Sequence, residues 1–208
     1  MNAHDRARPV QEKSPSSPSW AESLRDLSLD EARQQTRKHH KASAATRAPW
    51  TTHALSDDNW SGVKCVGIFA PRLDWIEPVS FNIPPHIPTA YPRMNGERIE
   101  FKKAKASELE RNGQWKVLEP ASSAPSAEPD LLFVPALLMD LQGHRIGRGG
   151  GFFDRYLSEH PGTRSVGVIH SDYLMERIPS HWLHSGDQRL NAILTESHYL
   201  SSTEENQL

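Results

Sequence analysis

Residues 130–157 read DLLFVPALLMDLQGHRIGRGGGFFDRYL, and their order decides the fold: an apolar β-branched run, a turn, a glycine-rich loop and a helix. The run 131–138 (LLFVPALL) is the strongest strand candidate in the chain, with Pro135 interrupting or ending its ladder because proline has no N–H to donate. Gly147, Gly149, Gly150 and Gly151 lack Cβ atoms, so successive backbone N–H groups can approach an anion there. The helix expected from Phe152 to Glu159 adds the partial positive charge of its N-terminus. Arg145 and Arg148 bring full charges to the same place, and a guanidinium fork matches phosphate geometry, which makes polyphosphate the natural ligand. Asp154, in the first helical turn, is a candidate magnesium ligand, since a hard cation takes carboxylate and phosphate oxygens. The pattern is neither a P-loop, which needs a Gly-Lys-Ser/Thr ending, nor the dinucleotide fingerprint. On glycines alone, a flexible turn with Asp154 as an ordinary first-turn acid is the competing reading.

Outward from this segment, residues 63–70 (VKCVGIFA) read as a buried strand, and residues 89–93 and 98–103 as two more. Downstream come a strand at 165–169, a short helix at about 172–177 and a strand at 192–195. Residues 23–45 turn to helix formers, with Leu24, Leu27, Leu29 and Ala32 on an apolar side and basic residues dense from Arg33 to Lys41. The alternation implies an α/β protein of Rossmann-like layered architecture, a mainly parallel sheet flanked by helices and covered on both faces, with ligands at the carboxyl ends of the strands. Residues 1–22, with Pro9, Pro15 and Pro18 among serines, are expected to form a disordered polar tail, residues 23–200 one domain, and residues 201–208 a polar end.

Composition bounds the function. An apolar share of 36% over 208 residues suits a single core, and the net charge of −2 offers no general attraction to nucleic acid, so any anion site is local. No apolar run is long enough to span a membrane and the N-terminus does not resemble a signal or transit peptide, so the expectation is a cytoplasmic protein with no membrane and no nucleic-acid partner, acting as a monomer. The single cysteine, Cys65, excludes a disulfide framework and reads as buried and inert. The histidines, among them His39, His40, His181 and His184, lack converging acids or cysteines, and the tryptophans read as packing.

With these residues in hand, the stretch 130–157 resembles the 5-formyltetrahydrofolate cyclo-ligase family, whose pattern is a strand followed by Asp-x-x-Gly-x-Arg-Leu-Gly-x-Gly-x-Gly-Tyr-Tyr-Asp. Weaker similarity covers roughly residues 63–196: Tyr91-Pro92-Arg93-Met94, Val117-Leu118-Glu119-Pro120, Val166-Gly167-Val168, Ile178-Pro179, Asp187 and residues 192–196 keep the family's order. The resemblance implies ATP-dependent closure of 5-formyltetrahydrofolate to 5,10-methenyltetrahydrofolate with release of ADP and phosphate. It implies ATP along Gly147, Arg148, Gly149, Gly150, Gly151, Phe152 and Phe153, with Arg145 beside the phosphates and Arg148 as the catalytic charge. It also implies Mg2+ on Asp154 and Asp187 and the folate substrate against Phe152 and Glu77, although a loop cap is an equal reading of Asp187.

The departures concern the substrate. Phe152 and Phe153 replace a tyrosine pair, keeping stacking surface and losing two hydroxyls. Glu77-Pro78-Val79-Ser80 corresponds only loosely to the family's Glu-Ile-Asp-Thr, with Asp74 a rival, and Tyr173 stands where the family has glutamine. The family's Lys-x-x-x-Arg pair for the phosphates fits Arg33 and Arg37, whose four-residue spacing puts both on one helix face, while a solvated basic face is the other reading. The alternatives to the cyclo-ligase are a nucleotide-binding regulatory protein and another small-molecule kinase or ligase on the same scaffold.

Overall fold

The computed structural model describes residues 19–43, 55–70, 81–112 and 117–202; the expectations placed on residues 1–18, Asp74 and Glu77 lie outside them. Among the described residues, helices α1 (Ser19–Glu22), α2 (Leu29–Ser43) and α3 (Phe152–Glu159) accompany thirteen strands. These are β1 (Val66–Gly67), β2 (Thr89–Asn95), β3 (Arg98–Lys103), β4 (Glu110–Asn112), β5 (Val117–Glu119), β6 (Ser126–Ala127), β7 (Leu131–Pro135), β8 (Leu138–Asp140), β9 (Arg145–Ile146), β10 (Arg164–Val168), β11 (Leu174–Met175), β12 (Ala192–Leu194) and β13 (Tyr199–Ser201).

The main sheet runs β13-β12-β10-β7-β1-β2-β3-β6. Its five inner strands, from β12 to β2, are parallel. The edges β13, β3 and β6 are antiparallel. The sequence alternates to match the pleat: Leu131 and Phe133 of β7 pack with Val66, Val166, Val168 and Leu194 on one face, while Leu132 and Val134 pack on the other with Leu24, Ala32, Tyr156 and Leu157. The α/β class and the mainly parallel sheet therefore hold, with one difference. Both multi-turn helices, α2 and α3, lie on the same face, and among the described residues the opposite face is closed by Trp60, Ile87, Phe81 and Ile83. Residues 81–88 read FNIPPHIP, and three prolines without N–H groups cannot propagate a helix there.

Pro135 ends β7 as expected, and three residues later the chain enters β8, which leaves the main sheet to pair with β9 and β11. This small sheet extends from the carboxyl end of β7 and carries the glycine loop out of β9. The helix expected at 172–177 is instead a 3-10 turn, Ser171–Tyr173, followed by β11. Leu174 and Met175 are fully buried against β8, and two residues locked into a parallel ladder leave no room for another helical turn.

Helix α2 starts on a capping box. Ser28 Oγ accepts from Glu31 N at 3.4 Å, and Glu31 Oε2 accepts from Ser28 N at 3.0 Å and from its hydroxyl at 2.6 Å. These bonds hold the Glu31 carboxyl below its ordinary pKa, so their support of the helix is present above the usual glutamate range and lost as pH falls through the lowered value. Cys65 is buried, and desolvation pushes its thiol up, consistent with an inert residue.

The chain packs earlier than residue 23. Ala21 is fully buried and Trp20 stacks on His39 of α2 with ring centroids 4.1 Å apart, so the boundary expected at residue 22 falls inside the fold. The domain also runs past residue 200, because Ser201 pairs with Ala192 in the edge strand. Removal of residues 1–22 is expected to cost roughly 2 kcal/mol or more, since a partly buried tryptophan loses its contacts, and to lower Tm by several degrees in a thermal melt. An unchanged Tm would mean that α1 contributes nothing to the core.

Candidate functional site

The glycine loop begins from a buried turn. Asp140, fully buried at the end of β8, accepts four hydrogen bonds: Oδ1 from Gln142 N at 3.0 Å and His144 N at 2.9 Å, Oδ2 from His144 Nδ1 at 3.0 Å and Ile178 N at 2.9 Å. Gly143 takes φ 87° in this turn, and a Cβ on it would lie 2.3 Å from the Leu190 carbonyl oxygen, so no other residue fits. For Asp140 the Asp-x-x-Gly spacing, an acid able to accept from the backbone two residues on, was the available signal.

From this turn β9 delivers Arg145, and the structure places it beneath the loop. Its side chain is 6% exposed, and Nη2 donates to Asp154 Oδ2 at 2.8 Å. Its Nη1 occupies the space that a Cβ on Gly147 would need. The guanidinium also lies over the Phe153 ring, 5.9 Å from the centroid. Arg145 is thus engaged by Asp154, while Arg148, two residues beyond β9, is exposed with Gly149 and Gly150 at the tip of the loop.

Two further arginines reach the loop from different helices. Arg33 of α2 donates from Nε to the Gly147 carbonyl oxygen at 3.2 Å, and its guanidinium lies 3.5 Å from the position of a Cβ on Gly149, which has φ 99°. The pairing of α2 with the glycine loop is therefore real for Arg33; Arg37, one helical turn on, is exposed. From α3, Arg155 donates to the Gly150 carbonyl oxygen at 2.8 Å and covers the Phe152 ring, 5.1 Å from its centroid. Gly151 caps α3 in the left-handed region at φ 63°. A trans peptide directs its C=O and N–H in opposite senses, so holding the carbonyls of Gly147 and Gly150 on arginines turns the N–H groups of Arg148 and Gly151 away from them. That arrangement, together with the α3 N-terminus, is chemistry suited to phosphate oxygens.

Asp154 and Asp187 meet indirectly. Asp154 Oδ1 accepts from Gln188 N at 3.3 Å, and Asp187 Oδ2 accepts from His184 N at 2.8 Å, capping its own turn. Each carboxylate retains lone pairs beyond these bonds. Among the described residues no group of three His, Cys, Asp or Glu side chains could hold a metal on its own. Carboxylates with spare lone pairs are the donor type that Mg2+ takes alongside its waters and phosphate oxygens, and they do not amount to an all-protein cage.

Two of the other family-like stretches, residues 91–94 and 117–120, also meet. Arg93 Nη1 donates to the Pro120 carbonyl at 2.8 Å and lies 3.5 Å from Glu119 Oε2, while the buried Glu119 accepts from Met94 N at 3.2 Å. Tyr173 is fully buried: it stacks on His40 at 3.5 Å, and its hydroxyl lies 3.2 Å from His39 Nδ1 and 2.8 Å from Ser43 Oγ. It anchors α2 from below.

Together these features define an α/β protein with a phosphate-suited glycine loop, clasped by arginines, on an extension of a mostly parallel sheet. The chain belongs to the 5-formyltetrahydrofolate cyclo-ligase family, whose sequence model matches residues 82–196, more than half of it. It is 32% identical over 118 residues to 5-formyltetrahydrofolate cyclo-ligase of Escherichia coli K12, covering 54% of this chain and 63% of that protein. The match thus spans less than two thirds of the relative's length. A cyclo-ligase of Mycolicibacterium smegmatis is 44% identical over 54 residues, covering 26% of this chain and 28% of that protein. In fold, the chain is similar to the 5,10-methenyltetrahydrofolate synthetase of Aquifex aeolicus, with TM-score 0.57 and 20% identity over 90% of this chain and 91% of that one. It is also similar to that of Mycoplasma pneumoniae, with TM-score 0.54 and 15% identity over 82% of this chain and all of that one. No described helix is long and apolar enough to cross a membrane.

The Arg145–Asp154 pair changes what Asp154→Asn should do. The variant leaves a buried guanidinium short of its countercharge, so a loss of roughly 3 kcal/mol in stability is expected, beyond the ~1 kcal/mol of an ordinary first-turn acid. A double-mutant cycle with Arg145→Met, read by urea unfolding, should return coupling of at least about 1 kcal/mol. Additive losses would mean the two side chains do not act as a pair.

Proposed function

We propose that this chain is an ATP-dependent 5-formyltetrahydrofolate cyclo-ligase that releases 5,10-methenyltetrahydrofolate, ADP and phosphate. Family membership supports the reaction class. The observation that carries the proposal is the convergence of Arg33, from the N-terminal helix, and the loop Gly147–Gly151, more than a hundred residues away in sequence, on one anion-suited surface.

The chemistry requires little more than positioning and charge. The formyl oxygen on N5 is a poor leaving group; its attack on the γ-phosphorus of ATP forms a C–O–P linkage and breaks the bond to ADP. N10 then attacks the activated carbon, phosphate departs with the oxygen, and the N10 proton is lost, closing the ring. No nucleophilic side chain is needed. In this reading the N–H groups of residues 148–151 and the exposed Arg148 hold the triphosphate, Arg33 and Arg37 add charge from α2, and Phe152 offers ring surface to the folate. Glu77 is assigned to the folate by resemblance alone. Asp154 and Asp187 would hold Mg2+, which when bound supplies charge neutralisation at the phosphate oxygens. Arg145 secures Asp154 rather than the nucleotide.

Purified protein with 5-formyltetrahydrofolate, ATP and magnesium should generate the methenyl product's absorbance. Arg148→Ala is expected to lower kcat by about 10² or more, the order seen when a group stabilising developing charge is removed. ATP binding by calorimetry without turnover would move the chain to a nucleotide-binding regulatory role or to another substrate. Absence of both ATP binding and turnover would end the nucleotide reading.

A further inference from the structure

Arg155 belongs to none of the roles assigned so far, yet it holds a loop carbonyl and a loop-flanking ring at the same time. It leaves the first turn of α3 and reaches two backbone oxygens at once. Nε and Nη2 donate to the Glu97 carbonyl oxygen at 3.0 and 2.5 Å, and Nη2 also donates to the Gly150 carbonyl oxygen at 2.8 Å. Glu97 sits in the two-residue turn between β2 and β3, where Gly96 takes φ 62°. The same guanidinium lies over the Phe152 ring, and its Nη1 is 2.9 Å from where a Cβ on Gly151 would be. Phe152 in turn folds back on the loop, with ring atoms 2.5 and 2.7 Å from the Cβ position of Gly150.

We propose that Arg155 is a positioning residue, a strap that ties the glycine loop and the Phe152 ring to the rigid β2–β3 hairpin and so sets the direction of the Gly151 N–H before any nucleotide arrives. Three properties make the strap specific to arginine. Only a planar fork presents parallel N–H donors to two oxygens, only its flat face stacks on a ring, and its charge strengthens each bond to a neutral carbonyl. The hairpin is a firm anchor because β3 is gripped by six paired residues of β2 and by Phe101 against Tyr156 of α3, ring centroids 4.8 Å apart. A loop held in one conformation gives up less freedom when ligand binds, so the strap acts on affinity more than on the chemical step. The catalytic consequence rests on the cyclo-ligase reading; the strap itself does not.

The test uses full-length protein and three variants. Arg155→Ala removes the strap. Arg155→Lys keeps the charge but not the fork. Arg98→Ala removes an arginine from the same helix–hairpin junction, where it pairs with Glu159 at 3.0 Å in solvent. Amide hydrogen exchange of residues 147–152 in the free protein should accelerate about tenfold or more in Arg155→Ala, remain largely accelerated in Arg155→Lys, and match wild type in Arg98→Ala. The KM for ATP should rise about tenfold in Arg155→Ala, with kcat within about threefold of wild type and Tm within about 2 °C. Wild-type exchange rates in Arg155→Ala, full rescue by lysine, or an equal effect from Arg98→Ala would each overturn the strap. If the wild type neither binds ATP nor turns over, the functional reading fails, and the exchange data still decide whether the strap exists.

Discussion

The geometry of the site depends on one buried carboxylate. Asp140 has no exposed surface, and an ionised group in that position must recover its lost hydration from protein donors. It does so with four N–H groups, two from its own turn, one from the His144 ring and one from Ile178 beyond β11. Those four bonds join the end of β8, the start of β9 and the segment after β11 into one unit. The turn that feeds β9 is further fixed by Gly143 at its apex, pressed against the Leu190 carbonyl. Removing the carboxylate would strand several buried donors together, which is costlier than the loss of any one bond.

A second ion pair sits one step further along. Arg145 and Asp154 lie on opposite sides of the glycine loop in sequence, and their contact closes it like a clasp. For Arg145 the pairing is obligatory, since its side chain is almost wholly buried and guanidinium cannot discharge. For Asp154 it has a different meaning. A carboxylate that already neutralises an arginine still has acceptor positions for a hydrated cation, but its position is set by the arginine whether or not a cation is present. The orientation of its carboxylate oxygens is thereby built into the chain.

Much of this was legible in the sequence, and the parts that were not share a physical cause. The strand at 131–135, its end at Pro135, the helix 152–159 and the strands around 166 and 193 follow from alternation, proline chemistry and glycine placement, all local signals. The small strands β8, β9 and β11 were missed because two or three residues cannot express a period, and their pairing is fixed by tertiary contact. Residues 172–177 were read as helix on composition, whereas burial of Leu174 and Met175 against β8 decides their state. At the site, the family resemblance drew attention to Arg33 and Arg37, and the structure brings Arg33 of the two against the Gly147 carbonyl. Charge and spacing did not separate the exposed Arg148 from the buried Arg145, since arginines three residues apart look equivalent until the backbone between them turns. Arg155 was invisible for the same reason: its partners are main-chain oxygens, which leave no trace in sequence.

Glycine makes the loop able to approach an anion and also makes it expensive to order. Each glycine surrenders more backbone freedom than alanine would, by roughly 0.5–1 kcal/mol, and this loop contains four within five residues. Left alone, such a segment would sample many conformations, few of them with N–H groups aligned. Two charged donors on its carbonyls, Arg33 on Gly147 and Arg155 on Gly150, each contribute on the order of 1–3 kcal/mol when well formed, comparable to that entropic cost. The arginines approach from helices far apart in sequence, so the loop is ordered only after α2 and α3 have both docked on their shared face of the sheet. An anion-suited surface therefore appears as a late consequence of tertiary packing, and its affinity for a polyphosphate should track the docking of α2 as closely as it tracks the glycines themselves.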